Sequence, residues 1–350
     1  THRDMLRLSH PKGIDNATAK FALGGEVVES APRIIHGYAQ MAQAQSVEDV
    51  ISALIAYKNL PWETIPTKFL NDDDVWKTLF YNGQLRGQNA LRNVGRLNKV
   101  GAFDDMVFAS DFANVVTDSE TIRKSRLHPV NYLNALIANE KRDYCSWSYS
   151  DREQTLPARI ADALNDGFYE AFKHVEPANK RTLIALDVSS SMWGGQSAGF
   201  AGVPAQAGAA MAMTIARTEP YYVVMGFSTQ FVDLKITPRM NLESIYKKTS
   251  NMAFGGTDCA LPMQWAERRG LEVDTFLVIT DNETWAGRIH PHQALNSYRK
   301  NVNPEARLAV MAMSPTRFSI ADPDDAGSMD FVGLDSNTPK VFTDFSAGRL

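Results

Sequence analysis

The sequence predicts an α + α/β chain: a helical segment over residues 1–178, followed by an α/β domain over residues 179–350. Two patterns predict this division. In the first segment apolar residues recur at helical spacing and no alternating strand pattern is visible, whereas in the second short apolar runs alternate with amphipathic segments. The character changes near Glu176-Pro177. Alternating strands and helices predict a doubly wound sheet with helices on both faces.

The first segment reads as short amphipathic helices in series. Ser46 is a predicted N-cap, and the helix that follows it ends before Leu60-Pro61-Trp62. Further helices are predicted around Trp76–Phe80, Ala90–Leu97, Asn131–Asn139 and Leu156–Val175. Such a series suits an irregular bundle or a helical solenoid, and no fixed sequence period decides between them.

Composition sets limits on the class of protein. With 44% apolar and 22% charged residues among 350, each segment has enough apolar residues for a proper core. A net charge of −4 means that any binding of RNA needs a local basic surface. Two cysteines, Cys145 and Cys259, favour a reducing, cytoplasmic setting. No apolar run is long enough for a bilayer, and because Thr1 leads straight into a helical pattern we expect residues before it.

The second segment alternates predicted strands and helices. The strands are Thr182–Leu186, Tyr221–Phe227, Phe231–Ile236, Thr275–Ile279, Arg307–Met313 and Phe331–Leu334. The helices are Ala205–Arg217, Leu242–Lys248, Ala260–Arg268, Pro291–Lys300 and one from Lys340 onward. Ligands of such sheets bind at the carboxyl ends of the strands, so the loops after Leu186 and Ile279 are the place to search.

Three loops carry oxygen ligands for a metal ion. Asp187, Ser189 and Ser191 alternate directly after the first buried strand, Thr257 follows two glycines, and Asp281 directly follows the second buried strand. Mg²⁺ prefers six oxygen ligands in an octahedron and keeps some of its water. The set therefore predicts a site for Mg²⁺ or another divalent cation. Because the hydroxyl ligands are neutral, an open corner would favour an acidic or phosphate oxygen of a partner.

Each piece has a simpler interpretation when taken alone. Ser189 and Ser191 are common turn residues, Thr257 is a normal helix N-cap, and Asp281 is a common loop residue. The order and strand context of all three loops, however, resemble the metal-ion-dependent adhesion site of the von Willebrand factor A domain, in which the five matching positions hold the metal.

A wider resemblance connects both segments to the Ro autoantigen family, also called the TROVE module. The motifs that carry it are Ala185–Met192, Gly255–Met263, Ile279–Thr284 and Phe318–Asp325 in the second segment, and His2–His10, Ala90–Arg96 and Leu127–Val130 in the first. The resemblance implies a ring of HEAT-like helical repeats closed by a Rossmann-like von Willebrand A domain. The resemblance also implies that the earlier repeats, and the basic stretch that precedes Thr1 in the family, lie outside this sequence.

The resemblance also implies a function. Such proteins bind small noncoding RNAs: structured Y RNAs on the outer face of the ring, and the 3′ ends of misfolded RNAs in its central hole. They act as scaffolds in RNA quality control without catalysis of their own. An exoribonuclease or another protein is a further expected partner, and no membrane is.

Basic residues give separate candidates for RNA contacts. Arg92, Arg96 and Lys99 stand at i, i+4 and i+7, so we expect them on one helix face that follows a phosphate backbone. A solvated helix face is the alternative. Further candidates are Arg123, Lys124 and Lys141, and the resemblance adds Arg7 and His10.

Two other functions compete with RNA binding. A metal-dependent protein-binding adaptor would use a partner carboxylate to complete the metal shell. An enzyme is disfavoured because no P-loop, nucleophile elbow or pair of catalytic carboxylates is present in a convincing context. His290 and His292 flank Pro291 and are expected at the start of a helix.

Overall fold

A computed structural model describes residues 12–139, 156–250, 252, 255–281, 286–313 and 320–350. The described chain divides into two compact units. One comprises the described residues of Thr1–Val116 with Leu156–Ile160, and the other those of Thr117–Thr155 with Ala161–Leu350. The helices that follow Val116 therefore belong mainly to the same unit as the sheet. None of the described helices combines the length and apolarity needed to cross a bilayer.

The first unit is helical throughout its described residues. Its helices are α1 (Asn16–Ala22), α2 (Arg33–Ala42), α3 (Val47–Ala56), α4 (Asp73–Tyr81), α5 (Gln88–Arg92), α6 (Val94–Lys99) and α7 (Met106–Thr117). Short 3₁₀ turns at Trp62–Thr64, Thr67–Phe69 and Ala102–Asp104 connect some of them. The helical prediction is confirmed for this unit.

Local chemistry explains where these helices begin and what they bury. Ser46 and Asp49 form a capping box at the start of α3: the Ser46 hydroxyl accepts from the Asp49 amide at 3.2 Å, and Asp49 accepts from the Ser46 amide at 3.0 Å. Trp76 of α4 is fully buried, and its indole N–H donates to the Leu70 carbonyl at 2.9 Å. The core is thus apolar with its polar atom satisfied.

Asn93 breaks the helix that was predicted over Ala90–Leu97. Its backbone angles of φ −99° and ψ 4° separate α5 from α6. The side chain is buried and its Nδ2 donates to the Asn89 carbonyl at 2.8 Å, a bond that competes with the helical backbone. The single helix that was expected to carry Arg92 together with Arg96 and Lys99 is therefore interrupted: Arg92 ends α5, whereas the other two lie on α6.

The second unit joins further helices to a sheet. The helices are α8 (Ser119–Lys124), α9 (Pro129–Asn139), α10 (Ala158–Ala171, which begins in the first unit), α11 (Pro204–Thr218), α12 (Leu242–Ser250), α13 (Leu261–Arg269), α14 (Pro291–Asn301) and α15 (Thr338–Ser346). The strands are β1 (Thr182–Asp187), β2 (Tyr222–Phe227), β3 (Phe231–Asp233), β4 (Thr275–Thr280), β5 (Arg307–Ala312) and β6 (Ser328–Val332).

The sheet has the order β3-β2-β1-β4-β5-β6, and all neighbours are parallel except the edge pair of β2 and β3. Leu183 and Ala185 of β1 pack with residues of α13 and α14 in one core. On the opposite face, α11 lies so close that a Cβ at Gly208 would stand 3.3 Å from Ile279 and 3.7 Å from Leu186. Helices therefore cover both faces, which confirms the predicted doubly wound fold.

Two strands differ from their predicted limits. The strand expected over Phe231–Ile236 ends at Asp233, because the Asp233 carboxylate accepts from the Lys235 amide at 2.8 Å in a turn where Lys235 has φ +47°. The last strand lies at Ser328–Val332, earlier than expected, and ends where Gly333 takes φ +76°. The central strands match, and they pair Leu186 with Ile279, so the two loops of interest begin side by side.

Candidate functional site

Asp187 is the innermost residue of the candidate metal centre. It ends β1 with 4% of its surface exposed, and its carboxylate accepts from the Ser189 amide at 2.8 Å and from the Thr280 hydroxyl at 2.7 Å. Burial raises the pKa of Asp187 to about 6; its hydrogen bonds oppose that rise, and the nearby Asp281 charge adds to it. None of the described residues forms an ion pair with this carboxylate. A buried anion with neutral donors alone is costly, so the position suits a cation.

The two serines that follow are spaced for an octahedral ion. Ser189 has extended backbone, and the 3₁₀ turn Ser190–Trp193 begins directly after it. This turn holds the Ser189 and Ser191 hydroxyl oxygens 3.0 Å apart. Adjacent corners of an Mg²⁺ octahedron with bonds of roughly 2.1 Å are about 3.0 Å apart. The pair therefore fits two neighbouring corners. Ser189 is buried and Ser191 is exposed, so the site opens on the Ser191 side.

Asp281 joins the same group from the next strand. It directly follows β4, and the Thr280 hydroxyl that bonds Asp187 also lies 3.4 Å from Asp281 Oδ1. Asp281 is half-buried, and its negative charge contributes to the raised pKa of Asp187. The structure therefore brings four of the five predicted metal ligands into one cluster: Asp187, Ser189, Ser191 and Asp281.

Thr257, the fifth predicted ligand, lies in a loop that docks at the same end of the sheet. The Asp258 amide donates to the carbonyl of Ser228, which follows β2, at 3.1 Å. The alternative interpretation of Thr257 as a helix N-cap is wrong, because α13 begins only at Leu261 and Ala260 occupies the N-cap position. Thr257 is buried, so it does not lie on a solvated turn.

Sequence reasoning missed one supporting residue, Thr280, whereas Asp258 was expected beside the site as a capping or supporting residue and not as a direct ligand. Thr280 positions Asp187 through the 2.7 Å bond, and its place at the end of a buried strand, just before Asp281, was the available signal. Asp258 accepts from the Ala260 amide at 3.0 Å, and burial raises its pKa. A Cβ at Gly287 would stand 2.6 Å from the Asp258 carboxylate, so a glycine is needed there. The contact with Gly287 lies beyond what spacing along the chain reveals.

His290 and His292 are confirmed as helix-start residues. His290 is the N-cap of α14, and its Nδ1 accepts from the His292 amide at 3.4 Å. The two imidazoles therefore have a structural role at this helix end.

The basic candidates fall into two kinds. Arg92, Arg96 and Lys99 are exposed, and none of them has an ion-pair partner within the described residues. Arg123 and Lys124 instead both pair with Glu120, at 2.9 and 3.2 Å. Hydrogen bonds from Arg123 and then Lys124 lower the pKa of Glu120 to about 2. Their charge is thus partly compensated on their own helix.

Three further candidates, Arg7, His10 and Lys141, lie outside the described residues.

Two models of known protein domains match the two parts of the chain. The model of the TROVE domain matches residues 57–146, and that of the Ro60 vWA domain matches residues 181–346. Sequence and fold together define a protein that joins a TROVE helical segment to a von Willebrand A domain.

Similarity over nearly the whole of this chain shows which family within this class of protein it belongs to. The chain is 39% identical to the RNA-binding protein RO60 of Deinococcus radiodurans over 99% of its own length and 66% of that protein's. It is 31% identical to the RNA-binding protein RO60 of Caenorhabditis elegans over 100% of its length and 61% of that protein's. The chain belongs to the Ro60 family. It spans about two thirds of the first of these curated relatives and less of the second.

A solved structure agrees with this assignment. The crystal structure of the Deinococcus radiodurans RO (RSR) protein matches with a TM-score of 0.85 and 38% identity, covering 100% of this chain and 71% of that one. The helical region followed by the mixed sheet is therefore the fold of this family.

Proposed function

We propose that this protein binds small noncoding RNA and acts as a cytoplasmic scaffold in RNA quality control. The expected ligands are structured Y RNA and the 3′ ends of misfolded RNAs. The observation that carries the proposal is the set of exposed cations Arg92, Arg96 and Lys99, which have no carboxylate partner among the described residues and lie inside the segment that matches the TROVE model. Relatives named as RNA-binding proteins support the same class of ligand.

The charge of the whole chain makes this local surface necessary. A net charge of −4 supplies no general attraction for a polyanion. Binding must come from clustered cations that release counterions from the phosphates, which makes affinity fall steeply with salt. Arg96 and Lys99 share α6, and Arg92 is separated from them by the break at Asn93. Two short helices can present their cations at different angles to a curved backbone.

We expect a charge-neutralised variant to bind RNA at least tenfold more weakly. Arg92→Gln, Arg96→Gln and Lys99→Gln together remove three phosphate contacts, so the slope of log affinity against log salt should become shallower by about 3. Fluorescence anisotropy with a structured RNA and with a 3′-tailed RNA measures both quantities. The matched control is Arg123→Gln with Lys124→Gln, in which the lost cations are already paired with Glu120. Equal losses in the two variants, or binding that is flat across salt, would contradict the proposal.

The metal centre has a separate part in the proposal. Asp187, Ser189, Ser191, Thr257 and Asp281 would hold Mg²⁺ or another divalent cation. The fit is supported by the 3.0 Å spacing of the serine hydroxyls and by the buried carboxylate of Asp187. When bound, the ion would supply a coordination corner for an acidic or phosphate oxygen on the exposed Ser191 side. We assign no catalysis to this centre, and the relatives are named as RNA-binding proteins.

A second candidate function is a metal-dependent protein-binding adaptor. The exposure of Ser191 favours it, because a partner carboxylate could reach the ion from solvent. An exoribonuclease is one candidate partner. In this case Asp187→Ala abolishes partner capture in the presence of Mg²⁺ while the Arg92, Arg96 and Lys99 variant captures normally. The RNA proposal instead expects that the Arg92, Arg96 and Lys99 variant loses RNA binding. The Asp187→Ala variant and the cationic variant together therefore separate the two functions.

A further inference from the structure

Three apolar side chains at the end of α4 and the start of α7 are exposed. Met106 is 81% exposed, Val107 68% and Tyr81 56%. The cap of α7 explains the first two: Asp105 Oδ1 accepts from the Val107 amide at 2.9 Å and the Phe108 amide at 3.2 Å. This cap fixes the first turn with Met106 and Val107 outward and Phe108 in the core. Exposed apolar side chains of this size that lie together mark interaction surfaces.

Contacts between α4 and α7 place Tyr81 beside the first turns of α7, where Met106 and Val107 are exposed. The Tyr81 hydroxyl donates to Asp111 Oδ2 at 3.0 Å, and the Tyr81 ring stands edge-on to Phe108 with centroids 6.1 Å apart. One turn earlier on α4, Lys77 pairs with Asp73 at 2.7 Å and with Asp105 at 3.5 Å. Lys77 and Tyr81 of α4 therefore contact α7 and the residue that caps it.

The rim of this surface is strongly acidic. We call the whole surface the acidic ridge; it consists of Tyr81, Met106 and Val107 with the carboxylates Asp73, Asp74, Asp104, Asp105 and Asp111. Two described cations make contacts at this surface: Lys77 is already shared between two of its carboxylates, and Arg159 donates to the Ser110 hydroxyl at 2.8 Å. The five carboxylates outnumber these two cations.

This charge decides what the ridge can bind. A phosphate backbone is repelled by clustered carboxylates, so the ridge is no part of an RNA surface. A partner that covered Met106 and Val107 with apolar side chains alone would leave the surrounding carboxylates desolvated and unpaired, which is costly. Lysine and arginine side chains at the edge of an apolar contact solve both problems, because their charges meet the rim while their stems cover apolar surface.

We propose that the acidic ridge docks a basic amphipathic protein segment. Two or three apolar side chains of that segment contact Met106, Val107 and Tyr81, and its lysines or arginines contact the carboxylates around them. Charge complementarity at the rim sets the encounter rate and the choice of partner, and the apolar contact supplies the affinity. This role is independent of the proposed binding of RNA and of the metal centre.

The test is selection from a random 16-residue peptide display library on the full chain, followed by anisotropy with the enriched peptides. We expect enriched sequences with net positive charge and paired apolar residues. Met106→Ser with Val107→Ser should weaken their binding at least tenfold, and Asp104→Asn with Asp111→Asn at least fivefold. The matched control is Ile34→Ser with Ile55→Ser, which removes exposed apolar side chains that lie beside Arg33 and Lys58 instead of carboxylates. This control should change binding less than twofold, and circular dichroism checks the fold of every variant.

Other outcomes would overturn the proposal. It fails if no peptide is enriched, if the enriched peptides are neutral or acidic, or if the ridge variants and the control lose binding equally. It also fails if Met106→Ser with Val107→Ser lowers RNA affinity, since the ridge would then belong to an RNA surface. Sedimentation at several concentrations addresses a second copy of the chain: self-association that the ridge variants abolish would assign the ridge to a dimer.

Discussion

At Asp187, burial and charge act against each other. The carboxylate ends a buried strand, and burial raises its pKa to about 6 because the described residues bring it hydrogen bonds but no cation. A residue placed this way destabilises the metal-free protein and strengthens the binding of a cation. The same feature that makes Asp187 unfavourable for folding is what makes it a good ligand.

Asp187→Asn separates these two effects. The asparagine oxygen can still accept from the Ser189 amide, but the charge is lost. We expect at least a thirtyfold loss of Mg²⁺ affinity by isothermal titration calorimetry, while the metal-free protein melts at the same or a higher temperature. Asp324→Asn, at an exposed loop position, is the control and should leave both quantities unchanged. A variant that binds Mg²⁺ as tightly as the parent would remove Asp187 from the site.

His128 gives the sheet-containing unit a dependence on pH. Its Nδ1 accepts from the Val130 amide at 3.2 Å at the start of α9, and its Nε2 is buried with no hydrogen-bond partner among the described residues. Burial lowers the pKa of His128 from 6.5 to about 4. The folded state therefore holds the neutral imidazole, and the unfolded chain takes up a proton at a higher pH than the folded one.

Stability should accordingly fall as the pH drops from 6.5 to 4. A shift of this size corresponds to about 3 kcal/mol once the pH is below both values, and the full contribution is present above pH 6.5. His128→Asn keeps an acceptor for the Val130 amide and does not titrate. In urea unfolding, the parent should lose stability relative to this variant over that pH range. Parallel pH profiles for the two proteins would show that His128 is not the cause.

At the scale of elements, local signals were sufficient wherever a local interaction decides the structure. The capping box at Ser46 and the buried strands β1 and β4 follow from neighbouring residues alone. The break at Asn93 was not predicted, because it depends on the burial of an amide side chain that bonds the Asn89 carbonyl, and burial is not visible in the neighbouring residues. The role of Thr257 likewise depends on where its loop docks, and for that reason an N-cap was a reasonable but wrong alternative.

The loop after β6 contains a close approach that only glycine permits. Gly333 has φ +76°, and a Cβ there would overlap the backbone carbonyl of Ala198. The same loops are held by bonds from the Ala198 amide to Met313 and from the Leu334 amide to Ala198, at 3.1 and 2.9 Å. The segment that follows the serine ligands is thus fixed across the end of β5.

Gly333→Ala should therefore cost about 3 kcal/mol or more in the free energy of unfolding, from backbone strain and the overlap together. Gly270→Ala is the matched control: Gly270 also has a positive φ, +56°, at the end of α13, but a Cβ there would meet nothing within 4 Å. That change should cost only about 1 kcal/mol. Urea unfolding of both variants measures the difference, and similar costs would refute the importance of the Ala198 contact.

At the scale of the whole molecule, the order of helices and strands was readable from the sequence, whereas the grouping into compact units was not. Periodicity changes near residue 178, where helix gives way to strand. The helices α8 and α9 nevertheless belong to the sheet-containing unit, through contacts such as the Asn134 side chain accepting from the Ala201 amide at 2.7 Å. Such contacts join residues 67 positions apart, a separation at which a single sequence carries no signal.

The candidate metal centre lies entirely within that second unit, which gives an expectation for the stability of the molecule. Three loops, after β1, before α13 and after β4, would be tied together by one ion that binds the folded state only. At a free Mg²⁺ concentration a hundred times the dissociation constant, binding stabilises the folded unit by about 2.7 kcal/mol. For a unit of roughly 200 residues this raises the melting temperature by about 5–10 °C.

Differential scanning calorimetry with Mg²⁺ and with EDTA should show this shift in the parent and none in Asp187→Asn. A shift that survives in Asp187→Asn would mean that Mg²⁺ stabilises the protein from somewhere other than these three loops.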